Sequence, residues 1–434
     1  MPVSTVTEKL VPILSRPISD NDRQRAALLL LDWTGCAVAG QAEPAGQKIT
    51  NAFPGEVGTS TRIGASKASP LMAALHNGCL GNVLEMDDVD RQAVLHAAPT
   101  IIPAALAMAE HTGASREGFL DAIVIGYEAT IRIGRAVGAG HYAYWHNTAT
   151  CGPFGAAAAA CHLLKGSDLV SALGLAGTQA AGLWQTRHEP DSMAKQLHAG
   201  HAAHAGVLAA ILSVQGFQGP RSILEGEQGF FKAMCPGANP EDVLVDRDAG
   251  WLLHETSLKP YPACRHAHPA IDAARGVIKM IGLDLTRDIL VETYSDALKF
   301  CDRPNPESTI EAKFSIQHSV ALVLASHPLT LAAFTQDSIN DPKIRAMRRR
   351  IKVQTHPEIQ SRYPAQYGAA ITVGVDRFEA RNAFGDPECP MSKQDVLDKA
   401  VTLMTNAKME PAASEALANA ALGADLKAYR GLLP

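Results

Sequence analysis

Four side chains that can carry positive charge, Lys259, Arg265, His266 and His268, fall within ten residues of one another in the stretch 258–269, LKPYPACRHAHP. Pro260, Pro262 and Pro269 remove backbone donors and disfavour helix in the residues before them, so the stretch reads as an ordered, extended loop. Crowding cations in a rigid loop costs self-repulsion, which an anion relieves. The loop therefore reads as a pocket for a small molecule bearing carboxylate or phosphate, with a solvated basic linker as the plainer alternative. Cys264 lies inside it and reads as a small loop residue rather than a nucleophile.

Further segments carry residues of similar chemical interest. In 84–96, LEMDDVDRQAVLH, the acids Glu85, Asp87, Asp88 and Asp90 precede His96. An acid beside an imidazole can orient and charge it for general acid/base work. The segment lacks the glycine and spacing of a calcium loop. In 141–155, HYAYWHNTATCGPFG, His141, Tyr142, Tyr144, Trp145 and His146 cluster beside a glycine turn, which suits a pocket wall. The preceding GRAVGAG follows a helical segment rather than a strand, so it is not read as dinucleotide-binding. In 193–204, MAKQLHAGHAAH, Lys195 stands at a helix start and His198, His201 and His204 recur every third residue. That spacing drifts around a helix, and HAAH lacks the glutamate of a zinc-protease motif, so the three histidines read as structural. Lys195 at a helix N-terminus opposes the dipole, which an anionic ligand would relieve. In 310–318, IEAKFSIQH, Lys313, Ser315 and His318 alone resemble an ordinary helix start.

The elements that must position these residues are mostly helical. The chain has 434 residues, enough for two domains, and is rich in small residues and poor in aromatics. Helices are expected over 20–40 (capped by Asp20 or Asn21), 70–85, 99–112, 117–137, 156–164, 168–183 and 198–215. After the basic loop the pattern becomes mixed. Helices are expected over 272–281, 315–326 and 342–349, and strands over 288–294, 351–354 and 369–375. The alanine-rich tail, 392–432, reads as helical and returns to the first domain. The expected division is 1–258 completed by 392–434, with 259–391 as the second domain.

Lys plus Arg number 39 against 44 for Asp plus Glu, a net charge of −5, so no basic field exists to attract nucleic acid. The N-terminus does not read as a signal peptide, and apolar stretches such as 207–214 are too short to span a membrane. The eight cysteines form no CxxC pair and read as reduced thiols of a cytoplasmic protein.

Taken in order, LLDWTGCAVAG, LEMDD…LHAAP, HNTATCGPFGAAAAA, KQLHAGHAAHAGVLAA, KPYPACRHAHPA, EAKFSIQHSVAL and FGDPECPMS resemble the MmgE/PrpD family over almost the whole chain. The resemblance implies a mainly α fold: a large all-helical domain, a smaller α/β lid domain, and a homodimer. It implies a metal-independent, cofactor-free site at the domain interface, lined by Lys, His and Arg. Residue by residue, it places His96, His146, Lys195 and Lys259 as catalytic and Glu85 and His318 in the pocket. Tyr144, Arg265 and His266 are the further substrate-binding expectations. Glu85 stands where the family usually has aspartate, Val89 where threonine is common, and His318 where a tyrosine is found. The function implied is a lyase of a small di- or tricarboxylate working by histidine general acid/base catalysis, led by dehydration of the 2-methylcitrate kind. The alternatives are decarboxylation of the cis-aconitate kind and epimerisation of an amino- or imino-dicarboxylate such as iminodisuccinate. A catalytically silent binding homologue and a metal-dependent hydrolase are the rivals from other classes.

Overall fold

Small residues set the spacing of the helices that carry the histidines and Lys195. In the computed structural model, which describes residues 4–189, 191–282 and 288–434, the chain divides into two units. One is Met1–Thr256 with Ser392–Pro434; the other is Ser257–Met391. The first is framed by helices α1 Asp20–Ala42, α2 Pro70–Gly81, α3 Ala98–Thr112, α4 Arg116–Ala136, α5 Asn147–Leu163, α6 Leu169–Gly177 and α7 Ala194–Val214. Helix α7 packs on α2, α3, α5 and α6, and α5 packs on α4. Where α2 crosses α7, a Cβ on Gly200 would come within 2.3 Å of the Leu75 carbonyl oxygen and 2.4 Å of the Cys79 sulfur. Only glycine permits this approach, and it fixes the height of α7 and hence of Lys195 and His198.

Helix ends follow local chemistry. Ser19, rather than Asp20 or Asn21, caps α1, in a capping box with Asp22. Gly113 closes α3 in the left-handed region at φ 68°. Helix α5 starts at Asn147, well before the expected 156, and runs through Pro153, because every side chain from Asn147 to Cys161 is buried by neighbours. Helix α6 stops at Gly177, earlier than expected, and the chain beyond it becomes extended before a short 3-10 turn, Trp184–His188. Helix α7 begins at Ala194, so Lys195 lies in its first turn. Among the described residues it is the one helix long and apolar enough to cross a membrane by length and composition. Its alanines and glycines face the helices around it. The sequence reading passed over a small antiparallel pair, β1 Ser60–Arg62 with β2 Ala65–Ala68, so this unit is not purely helical. The tail forms helices Lys393–Asn406, Pro411–Leu422 and Leu426–Leu432, the first capped by Ser392 and packed on α1.

The second unit is a four-stranded sheet in the order β4-β3-β5-β6, covered by helices α8 His268–Ile281 and α9 Ile316–Leu324. Strand β3, Ile289–Thr293, pairs parallel to β4, Ile351–Thr355, and antiparallel to β5, Ala369–Val373. Alternation along β3 buries Ile289, Val291 and Thr293. Strand β6, Asp376–Ala380, escaped the sequence reading because Asp, Arg and Glu dilute its alternation. Gly374 at φ 65° turns the chain tightly from β5 into β6 and ends β5 before the expected residue 375. Ile271, Val277, Ile289, Val291, Val320, Leu324, Phe334 and Ile371 belong to its core.

Candidate functional site

The acidic segment after α2 is a strained, closed loop. Glu85 and Val94 hold positive φ, 60° and 50°, values that non-glycine residues adopt at a cost. Asp90 and Leu95 bridge through backbone hydrogen bonds of 2.9 and 3.3 Å. The Asp90 carboxylate accepts the Ala93 N–H at 2.7 Å and pairs with Arg135 at 2.6 Å. His96 leaves this closed turn with its backbone N–H donating to Thr148 Oγ1 of α5.

The His96 ring is oriented by that loop. Its Nδ1 lies 2.6 Å from the Asp88 carbonyl oxygen and 3.2 Å from Asp87 Oδ2. Both are acceptors, so Nδ1 carries a proton and the neutral ring keeps a lone pair on Nε2. Asp87 is held in turn by the Asn82 side-chain N–H at 2.7 Å. Asp88 accepts from Tyr127 O–H at 2.8 Å and from the Ala98 N–H at 3.0 Å. Burial, reinforced by Asp87 alongside, pushes the Asp88 carboxyl up to about 7. Behind the loop, Lys399 reaches from the helix Lys393–Asn406 to Asp32 and to the Met86 carbonyl, each at 2.6 Å.

His146 occupies the N-cap of α5 and is buried. A two-residue bridge pins it: its N–H donates to the Gly182 carbonyl at 2.9 Å, and Trp184 N–H donates to the Tyr144 carbonyl at 2.9 Å. Trp184 packs on the ring, with centroids 4.4 Å apart. The His146 Nδ1 lies 3.3 Å from His198 Nδ1 of α7. Gly182, at φ 135°, allows this, since a Cβ there would run into Ala149 at 2.4 Å and touch the His198 ring at 3.4 Å. Burial, then the charges of Lys195, His198 and His96, holds His146 well below the usual histidine range. Burial and Lys195 bring His198 down to about 4. Both rings are therefore neutral at pH 7, and the influence of Lys195 and His96 marks all four as neighbours. Lys195 forms a short ion pair with Glu85, whose side chain is 5% exposed.

Of the residues singled out in the sequence, Glu85, His96, His146 and Lys195 thus gather in the first unit. Tyr144 does not wall a pocket there: its side chain is 71% exposed, and its carbonyl carries its contact with Trp184. His198, expected to be structural, and Trp184, which carried no expectation, lie against His146 as well. The argument that three histidines at three-residue spacing cannot share one site is sound, but it does not bear on one of them facing a partner from another helix.

The second unit corrects further expectations. Arg265 is committed within it: its guanidinium pairs closely with buried Asp386, donates to the Phe384 carbonyl at 3.2 Å and to His268 Nδ1 at 3.0 Å. It is a strut of the loop rather than a substrate clamp. His266 accepts or donates at Nδ1 with Tyr294 O–H, 2.8 Å away, and stacks on Phe300 and Tyr367 at 5.2 and 5.4 Å. Burial brings it down to about 4, so it is a neutral core ring. His318 donates from Nε2 to the Ala333 carbonyl at 3.0 Å and accepts at Nδ1 from Arg348 at 3.1 Å. With both nitrogens occupied and burial bringing it down to about 4, His318 is a core residue and not a substrate ligand. Cys264 and His268 are structural: the Cys264 N–H donates to the Lys313 carbonyl at 2.8 Å, and His268 Nε2 donates to the Ala263 carbonyl at 3.1 Å. Lys259 is buried in the same loop, its charge felt by Cys301. Among the described residues no group of three or more His, Cys, Asp or Glu is placed to hold a metal ion.

A helical unit with paired histidines, a buried lysine and no such ligand cluster, joined in sequence to a small mixed-sheet unit, is the setting for comparison with known proteins. The MmgE/PrpD N-terminal domain matches residues 13–242 and the MmgE/PrpD C-terminal domain matches residues 261–423. The chain belongs to the MmgE/PrpD family. Cis-aconitate decarboxylase of Aspergillus terreus (strain NIH 2624 / FGSC A1156) is 26% identical over 420 residues, 88% of this chain and 84% of that protein. Cis-aconitate decarboxylase of Homo sapiens is 25% identical over 359 residues, 76% of this chain and 72% of that protein. 2-Methylcitrate dehydratase of Cupriavidus necator is 27% identical over 224 residues, 49% of this chain and 46% of that protein. These relatives are lyases, and the chain is an enzyme of that class.

Proposed function

We propose that the chain is a lyase of a small tricarboxylate that works by histidine acid/base catalysis, with decarboxylation of the cis-aconitate kind as the leading reaction. The observation that carries the chemistry is His96, whose Nδ1 proton is fixed by the Asp88 carbonyl and whose Nδ1 edge faces the Asp87 carboxylate. With Nδ1 so held, His96 can serve at Nε2 as a base when neutral and as an acid when protonated. Loss of CO2 beside an alkene builds negative charge on carbon. The Lys195 ammonium offsets that charge, and protonated His96 delivers a proton to the carbon. Decarboxylation consumes one proton, which His96 or His146 Nε2–H supplies; in the dehydration reading neutral His146 takes the proton removed from carbon. Lys195 and, from the family pattern, Lys259 hold substrate carboxylates.

The sequence reading leads with dehydration. The weight moves to decarboxylation because the relatives bearing that name are matched over most of their length, whereas the dehydratases are matched over about half. Dehydration remains the second reading, since the same acid/base pair can remove a proton and protonate a leaving hydroxyl. A homodimer and a cytoplasmic location belong to the same proposal. Incubation with cis-aconitate and with 2-methylcitrate, followed by CO2 release and by alkene absorbance, separates the two reactions. Solvent deuterium entering an amino- or imino-dicarboxylate without bond cleavage would point instead to epimerisation. Turnover of none of these compounds would overturn the proposal.

A further inference from the structure

His198 has no part in the chemistry described so far, yet its ring joins buried His146 to a groove on the same unit. His146 is 1% exposed and contacts His198 through the Nδ1 nitrogens of both rings, 3.3 Å apart. His198 is half-buried, and together with His201, Ser192, Glu189 and Gln185 it lines a surface groove of about 580 Å³. The backbone holds the pair: Gly182, where a Cβ would run into Ala149, lies beside the His198 ring, and its carbonyl fixes His146.

We propose that His198 is a proton relay that connects His146 to solvent in the groove. The inference rests on the reading of His146 as an acid/base group. Two neutral imidazoles joined Nδ1 to Nδ1 share one proton, so one ring donates and the other accepts. When His146 Nε2 takes a proton from a substrate, its Nδ1 proton passes to His198 Nδ1, and His198 releases its Nε2 proton to water in the groove. One N–H bond forms and one breaks at each ring, and no charge is left behind. His146 then carries its proton on Nε2 and is an acid. In decarboxylation, which removes no proton from substrate, the same transfers run in reverse: His146 Nε2–H protonates the substrate carbon, and the pair refills from solvent. The relay thus converts a buried base into a buried acid without opening the site.

The test uses the full chain with His198→Gln and His198→Phe, and His204→Gln as a control that lies outside the groove. Either His198 variant should lower kcat by roughly 10-fold or more with KM nearly unchanged, less than the roughly 100-fold or greater loss for His146→Gln. Added imidazole should restore much of the His198→Phe loss. In deuterium oxide, both His198 variants should show a larger solvent isotope effect on kcat than the wild type, because proton transfer to or from solvent becomes slower. His204→Gln should change none of these. Nitrogen NMR on histidine-labelled enzyme should show a shared Nδ1 proton that disappears in His198→Phe, whether or not a substrate is known. Unchanged kcat and solvent isotope effect in the His198 variants of an active enzyme would overturn the relay and leave the lyase reading intact. Absence of the shared proton would overturn it as well. If the wild type turns over no polycarboxylate, the lyase reading fails, and the NMR result alone decides whether the pair exists.

Discussion

Replacing His318 with phenylalanine separates a core histidine from a substrate ligand. Phenylalanine preserves the ring packed on Phe334, whose centroid lies 5.6 Å away. It removes the hydrogen bond to the Ala333 carbonyl and the acceptor for buried Arg348. A neutral hydrogen bond is worth about 1 kcal/mol net and one to a charged group about 1.5–3, so the variant should lose about 2–4 kcal/mol at pH 8. Acid alters the comparison. Burial brings His318 from 6.5 to about 4, so the unfolded chain takes up a proton that the folded chain refuses. The stability this residue contributes is complete above pH 6.5. It declines as pH falls toward 4, by up to about 3 kcal/mol. The variant has no such group, so its deficit relative to wild type should narrow between pH 6.5 and 4. Urea unfolding followed by circular dichroism at pH 8, 6 and 5 measures the gap, and steady-state kinetics runs alongside. An activity loss greater than about 10-fold with an unchanged unfolding midpoint would mean that His318 meets substrate, and the reasoning would fall.

His96→Ala should lower kcat by about 10²–10⁴-fold with a small change in melting temperature, checked by kinetics and calorimetry. Lys195→Met should cost about 3–5 kcal/mol by leaving Glu85 buried and unbalanced. The double change with Glu85→Gln should recover much of that stability but not activity, as a double-mutant cycle will read. Arg265→Met should destabilise the second unit by a similar amount through Asp386, and its KM should stay near wild type wherever the protein remains folded. Gly200→Ala should cost about 1–3 kcal/mol, since the added Cβ meets the Leu75 carbonyl, and thermal unfolding measures it.

The mainly helical first unit and the smaller mixed-sheet unit were legible because periodicity and glycine punctuation are local signals. Strand β3 announced itself through β-branched alternation, whereas in β6 Asp376, Arg377 and Glu379 break the alternation, and the strand depends on its partner β5 for its identity. The site was legible by residue type but not by partnership. The Lys195–Glu85 pair spans 110 positions, and the His146–His198 pair spans 52, so neither separation leaves a pattern in the sequence. His318 shows the opposite error. Its place in a motif suggested a ligand, yet its two nitrogens are taken by Ala333 and Arg348, which no local reading could supply. Arg265 likewise looked available until Asp386 was seen beside it.

The helix Lys393–Asn406 bears on how the enzyme is made. Lys399 neutralises Asp32 and ties down the Met86 carbonyl, at the base of the loop that carries Asp87, Asp88 and His96. A ribosome synthesises this lysine only after the whole second unit. Until then the nascent first unit has a buried carboxylate at Asp32 without its Lys399 partner, and its acidic loop lacks one anchor. The acidic loop therefore gains its full set of anchors only after Lys399 has been made, and Lys399→Met should lower activity without touching any residue proposed to meet substrate.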